Sequence, residues 1–434
     1  MLKTGVTLYL DQDVTLLGSP NKDDYLDTFH CTAIRFSSDK TSFLIYADQA
    51  DHFGIAGPGT IDGNGETFWD SSKRIHHFQS HWAPKGWRPC LVGFARSHHI
   101  TLKDFHAKNS PQFTFLPHHC TDITIDGVKI DNPQYGPNAD GIDLDCCRRV
   151  TIANCNIRAG DDAIALKSNS SVFGDEELPC EDITVTNCIL SGGAASSGVR
   201  LGGFEGDSPI RNCTFSNLVI YDSALGIDLG CAFADIAWLK KGIRIENVVF
   251  QNITMRNVGN PIHLWMANWK KDQPPMRASI RNVQISNVIA ECHRGCFITG
   301  LPGLRVENVT LSDIHLTIIG KMEENAPELQ DPFWFGLSPY AFYCSQADNV
   351  RVRNLSVDWS RSQGVWPYTA FVHDSGRVII DTLTEWGREG TPAKATFFAH
   401  ASDLTLRHIA PSTKTPLVHS QGGAAVRQYD CGEK

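Results

Sequence analysis

The sequence predicts an all-β chain wound as a solenoid, a β-helix of about ten coils. Three observations carry that expectation. A short phrase returns along the chain, as "HHITLKDFHAKNS" from His98, "CTDITIDGVKIDN" from Cys120, "CRRVTIANCNIRA" from Cys147, "CEDITVTNCILSG" from Cys180 and "IRNVQISNVIAEC" from Ile280. Thr101, Thr124, Thr151, Thr184 and Thr214 mark equivalent points, 23 to 33 residues apart. Within each unit two short alternating segments flank a polar residue, often Asn, and no helical period accompanies them. A unit this short cannot bury its own apolar face, so coils stacked about 4.8 Å apart must share one core. A propeller would need four strands in each repeat of roughly 40 residues or more, and no blade signature is present.

Each element follows from this pattern. The opening "MLKTGVTLYLDQDVTLLGS" alternates like a strand. Inward positions of the repeats hold Ile, Val, Leu and Cys; outward positions hold Thr, Arg, Asn and Asp. Asn residues at the bends are placed to bond from coil to coil. The pairs Asn154-Cys155, Asn187-Cys188 and Asn212-Cys213 read as buried, reduced thiols rather than as part of a disulfide framework, although the chain has 14 cysteines. The copies run from about residue 30 to 410 with no Pro/Gly/Ser linker, so the expectation is one domain over 1–434. Longer interruptions at 65–89, 168–179, 231–241 and 265–277 read as loops rimming a cleft. They carry Trp69, Trp82, Trp87, Trp238, Trp265 and Trp269, which suit stacking on sugar rings.

Composition narrows the partners. A net charge of −9 with 20% charged residues gives nothing to favour nucleic acid or an anionic membrane surface. No apolar run approaches the roughly 18 residues of a membrane span. The start lacks the apolar core of a signal peptide, so the sequence as it stands is expected in the cytoplasm, or in the periplasm or medium if a leader precedes it. No CxxC pair is present, and the His98-His99 and His118-His119 pairs place successive residues on opposite faces. No metal and no cofactor is expected.

The chemistry gathers in "NADGIDLD" and "GDDAIALK". Asp140 precedes the pair Asp161-Asp162 by 21 and 22 residues, close to one coil, which places three carboxyls on neighbouring coils roughly 5–9 Å apart. Like charges so close disfavour full ionisation, so one carboxyl should hold its proton near neutral pH, the condition for dividing acid and base roles. Gly141 and Gly160 flank the cluster, where backbone could approach a ligand. Asp143 and Asp145 are expected to be accessory, in turn or surface roles.

The stretch "NADGIDLDCCRRVTIANCNIRAGDDAIALKS" resembles the signature region of glycoside hydrolase family 28, the polygalacturonases and their relatives. So do "IAGPGTIDGNGETFWD" and "RPCLVGFARSHHITLKDFHAKNSPQFTF", and the likeness spans at least residues 1–270. The resemblance implies a right-handed parallel β-helix and metal-free hydrolysis with inversion. It makes Asp161 the general acid, with Asp140 and Asp162 holding and activating water. Two departures stand out. Where the family carries a Gly-His-Gly, this chain reads "AASSGVR" from Ala194, with Ser196 nearest the place of the His. Where polygalacturonases carry an Arg-Ile-Lys against the substrate carboxylate, it reads Gly226-Ile227-Asp228-Leu229-Gly230.

These departures imply a substrate other than plain polygalacturonate, with a neutral sugar at the cleaved position and Asp228 accepting from its hydroxyls. Arg200 and Lys167 alternate outward; they either supply a cationic patch in the cleft, or Arg200 pairs with one of the aspartates. His263 and Trp265 in "PIHLWMANW" either touch substrate or pack in the core or at its rim. The leading reading is an inverting glycoside hydrolase of a plant or algal carbohydrate. The alternatives are a polysaccharide-lyase-like enzyme and a degenerate, carbohydrate-binding β-helix.

Overall fold

In every coil the same alternation of branched apolar and polar residues meets a bend residue that must adopt a left-handed backbone. Asn154, Asn187, Asn247, Asn282 and Asn308 take φ values between 55° and 58° at these bends, a region that Asn tolerates better than most residues. The computed structural model of the chain describes residues 1–29, 41–75, 78–170, 177–233, 242–268, 277–322, 340–410 and 415–431. Strands dominate the described residues, and short 3-10 turns are the only helical elements among them. None is long and apolar enough to cross a membrane. The fold is a right-handed parallel β-helix.

The chain divides into two compact units, Met1–Ala224 with Ile236–Ile243, and Leu225–Asp235 with Arg244–Lys434. In the first unit three stacks of parallel strands run from coil to coil. One joins Cys90–Ala95, Phe115–His118, Ile142–Asp145, Ile164–Ser168 and Ser197–Gly206. The second joins His98–Lys103, Thr121–Asp126, Arg148–Ala153 and Cys180–Ser191. Its register sets Thr101, Thr124, Thr151, Thr184 and Thr214 side by side, as the repeat predicts. The third joins His106–Lys108, Lys129–Asp131 and Asn156–Arg158.

The second unit stacks Arg244–Asn268, Ser279–Cys292, Val306–Ile318, Ala347–Asp358, Gly376–Trp386 and Asp403–Ala410 in the same parallel manner. Its Asn ladder is nearly continuous: the amide of Asn282 donates to Asn247, Asn308 to Asn282 and Asn349 to Asn308, at 2.7–3.1 Å. The ladders lie on exposed surface, so they tie coil to coil rather than rescue buried groups. Cys155, Cys188 and Cys213 are buried and free, as the Asn-Cys pattern predicts.

Two expectations about the interruptions change. The segment at 65–89 is structured, with a 3-10 turn Gly65–Phe68 and an antiparallel hairpin of Trp69–Ile75 and Phe78–Pro84. Trp69 is buried and donates its indole N–H to the Pro111 carbonyl at 3.0 Å. Trp82 stacks on Tyr135 at 4.0 Å, and Trp87 packs edge-on against Phe68 and Tyr25. These indoles hold the hairpin down instead of standing open for sugars. The strands Pro209–Phe233 and Arg244–Asn268 run into the segments expected as loops at 231–241 and 265–277. Trp238, Trp269 and residues 171–176 lie outside the described residues.

Candidate active site

Asp140 stands two residues before the strand Ile142–Asp145, Asp161 and Asp162 just before Ile164–Ser168, and Ser196 just before Ser197–Gly206. Because these strands are neighbours in one parallel stack, residues far apart in sequence meet at their starts. One oxygen from each of Asp140, Asp161 and Asp162 lies within 4.8 Å of the others. Stacking this close needs glycine at Gly141, where a Cβ would come within 2.4 Å of the Ala163 carbonyl oxygen. Gly160 is hemmed in likewise by the carbonyls of Gly136 and Pro133. Both glycines therefore serve the approach of coil to coil, not of ligand to backbone.

The three carboxyls have unequal surroundings. Asp162 is buried; it accepts from the Ser197 backbone N–H at 2.8 Å and lies 2.9 Å from the Arg200 guanidinium. Both contacts suit an ionised carboxylate. Asp140 is buried too, and its Oδ1 has no hydrogen-bond partner. Burial first, then the negative neighbours Asp143 and Asp161, push its carboxyl well above the usual carboxylate range. Asp161 is the most open of the three. Its Oδ1 accepts from the Ser196 hydroxyl at 2.6 Å and from the Asp162 N–H at 3.1 Å, and its Oδ2 from the Asn138 amide at 3.5 Å.

Sequence reasoning passed over the residues that steady this cluster. Arg88 donates to the carbonyls of Pro111 and Pro137 and, at 2.6 Å, to the Asn138 side chain that reaches Asp161. Burial lowers its guanidinium to about 10, against the pull of Cys90, Asp140 and Asp161. His81, from the hairpin, bonds the Gly160 carbonyl immediately before the aspartate pair. Neither residue belongs to a coil repeat, although Arg88 opens the stretch "RPCLVGFARSHHITLKDFHAKNSPQFTF"; the hairpin brings in His81, and the turn at 138 meets Arg88.

Asp143 and Asp145 are not surface residues. Both are fully buried. Asp143 sits 2.8 Å from the Lys167 ammonium, which also lies 4.2 Å from the centre of the Phe113 ring. Asp145 faces His118 at 2.8 Å and accepts from the Asn169 backbone and amide. Of the two alternatives for these cations, the structure shows pairing: Arg200 with Asp162, as one alternative held, and Lys167 with Asp143.

In the second unit Asp228, His263 and Trp265 form a cluster of their own, fully buried. One oxygen of Asp228 accepts from His263 Nδ1 and from the Trp265 indole, each at 2.8 Å. The expectation that Asp228 meets sugar hydroxyls is corrected by this geometry, and for His263 and Trp265 packing is what the structure shows. Gly230 has a matching cause: a Cβ there would come within 2.6–2.7 Å of the Trp265 ring. The indole occupies the space that a side chain at Gly230 would need.

The chain matches Glycosyl hydrolases family 28 over residues 7–331. It belongs to that family. A probable polygalacturonase of Arabidopsis thaliana is 26% identical to this family 28 chain over 218 residues, which are 50% of the chain and 45% of that protein. A polygalacturonase of Juniperus ashei is 28% identical over 48% of the chain and 38% of its own length. The chain thus spans under half the length of these relatives. The fold resembles that of a hyperthermoactive exopolygalacturonase from Thermotoga maritima, with a TM-score of 0.58 at 20% identity, covering 73% of this chain and 76% of the other.

Proposed function

We propose that this family 28 chain hydrolyses glycosidic bonds in a pectin-type carbohydrate, with a neutral sugar at the cleaved position. The observation that carries the reading is three carboxyls on adjacent coils in three different environments. Asp161, the most open of the three and oriented by Ser196, donates a proton to the glycosidic oxygen as its bond to the anomeric carbon breaks. Water attacks that carbon, and Asp162, held as a carboxylate by Arg200 and Ser197, takes the water's proton. Asp140, whose carboxyl is pushed toward its neutral form by burial, holds the same water by a hydrogen bond. Family membership favours hydrolysis over the lyase-like and binding-only alternatives.

The preference for a neutral sugar no longer rests on Asp228, which is buried against His263 and Trp265. It rests on the site itself, where Lys167 and Arg200 each already face a protein carboxylate and are not placed to offset the charge of a uronate beside Asp161. Inversion is the outcome the family resemblance implies. The test is turnover of polygalacturonate against methyl-esterified and neutral pectic oligosaccharides, with the product anomer read by NMR. We expect inverted product from the neutral or esterified substrates, and a loss of about a hundredfold or more in kcat for Asp161→Asn. Efficient turnover of polygalacturonate overturns the neutral preference, and retained anomeric configuration overturns inversion. Binding without turnover returns the protein to the binding-only alternative.

A further inference from the structure

Outside the carboxylate site, two clusters on the described surface bring a pair of histidines from neighbouring coils to one aspartate. Their geometries differ. At Asp51, the Nδ1 atoms of His52 and His99 both address the same oxygen, at 3.0 and 2.7 Å, so that cluster is already joined by contacts of hydrogen-bond length. In the second unit, His373 and His400 are register partners on adjacent parallel strands. Their rings stack at 4.8 Å with planes 11° apart. His373 Nδ1 lies 3.3 Å from Asp374 Oδ2, and His400 Nδ1 lies 3.9 Å from Asp374 Oδ1. The two nitrogens thus flank one carboxylate, each beside a different oxygen. His400 Nδ1 is shielded from solvent without a hydrogen-bond partner.

From this arrangement we infer that His373, Asp374 and His400 form a binding site for a divalent transition-metal ion of the zinc class. Two imidazole nitrogens and a carboxylate are the donor set such ions accept. Bonds of about 2.0–2.1 Å in a tetrahedron separate neighbouring donors by about 3.3 Å. The His373–Asp374 spacing already meets that value. The two rings, stacked with their planes 11° apart, must turn about χ2 so that both in-plane Nδ1 lone pairs meet one ion, a rotation open to two part-exposed side chains. The Gln346 amide donates to Asp374 Oδ2 at 3.3 Å from the preceding coil and so orients the carboxylate, the role outer-shell partners play at metal sites. Because the ligands come from two coils, the ion would clamp those coils together, a structural role apart from hydrolysis.

The test is calorimetric titration of the full chain with zinc chloride, and with nickel chloride as a second ion, alongside thermal melts. We expect one site that is weakened at least tenfold by His373→Ala and by His400→Ala. Metal should raise Tm in the parent chain and in a His99→Ala variant, but not in either of the first two. If His373→Ala or His400→Ala fails to fold, Asp374→Asn, which keeps shape and removes the charge, must weaken binding in their place. Absence of binding by the parent, or binding and Tm gains unchanged by these substitutions, overturns the site.

Discussion

The two units use the same parallel stack of short strands to opposite ends. In the first, Ile142 and Leu144 alternate with Asp143 and Asp145, and the next strand pairs these with Ala165 and Lys167. The side facing away from Ile142 and Leu144 therefore carries buried ion pairs, Lys167 with Asp143 and Arg200 with Asp162, and the polar contact of His118 with Asp145. In the second unit, register places His263, Phe297, Tyr343, Phe371 and Phe398 in one row. Their rings stack at 5.2, 4.8, 5.6 and 4.3 Å. Identical backbone geometry thus supports a row of ion pairs in one place and a row of rings in another. Stacked rings contribute about 0.5–1.5 kcal/mol per pair beyond their burial, whereas a buried ion pair roughly breaks even against an apolar pair of the same volume. The charged row adjoins the carboxyl cluster, and the aromatic row is the one stability alone would select.

The largest effect should come from breaking a pair in the charged row. Lys167→Met removes the cation beside buried Asp143 and should lower unfolding stability by about 3–5 kcal/mol, read from urea midpoints. Adding Asp143→Leu should return most of that loss, because the pair itself contributes little. If the double variant is as unstable as the single one, the two rows do not differ in the way described. A smaller loss is expected in the aromatic row. Phe371→Leu keeps an apolar side chain but loses the stacking on Tyr343 and Phe398, and should cost about 1–3 kcal/mol. A cost above that of Lys167→Met would reverse the comparison.

The smallest effect should run in the other direction. Asp140 holds its proton in the folded chain at pH values where the unfolded chain has lost it. Its contribution therefore falls as pH rises above about 4, the unfolded value. Asp140→Asn removes that penalty, so the variant should be the more stable protein at pH 7, with a Tm advantage that shrinks as pH drops toward 4, while turnover falls. An advantage that does not grow with pH would mean that Asp140 is ionised in the native site.

The solenoid was legible because it is periodic. Thr101, Thr124 and Thr151 return once per coil, so their spacing states the register directly, and the Asn bends and Asn-Cys positions follow from it. The carboxylate cluster was legible for the same reason: 21 residues is close to one coil, so Asp140 and Asp161 had to meet. Periodicity also says on which side of a strand Asp143, Lys167 and Asp228 lie. It does not say what covers that side. Asp143 and Asp145 are buried because their partners, Lys167 and His118, sit on neighbouring coils. Asp228 is covered by His263 and Trp265 from another strand, and His81 and Arg88 reach the aspartates' surroundings through segments that belong to no repeat. A local pattern encodes the direction of a side chain along its own strand. The charge it meets, and the water it loses, depend on residues that only the folded coil brings within a few ångströms.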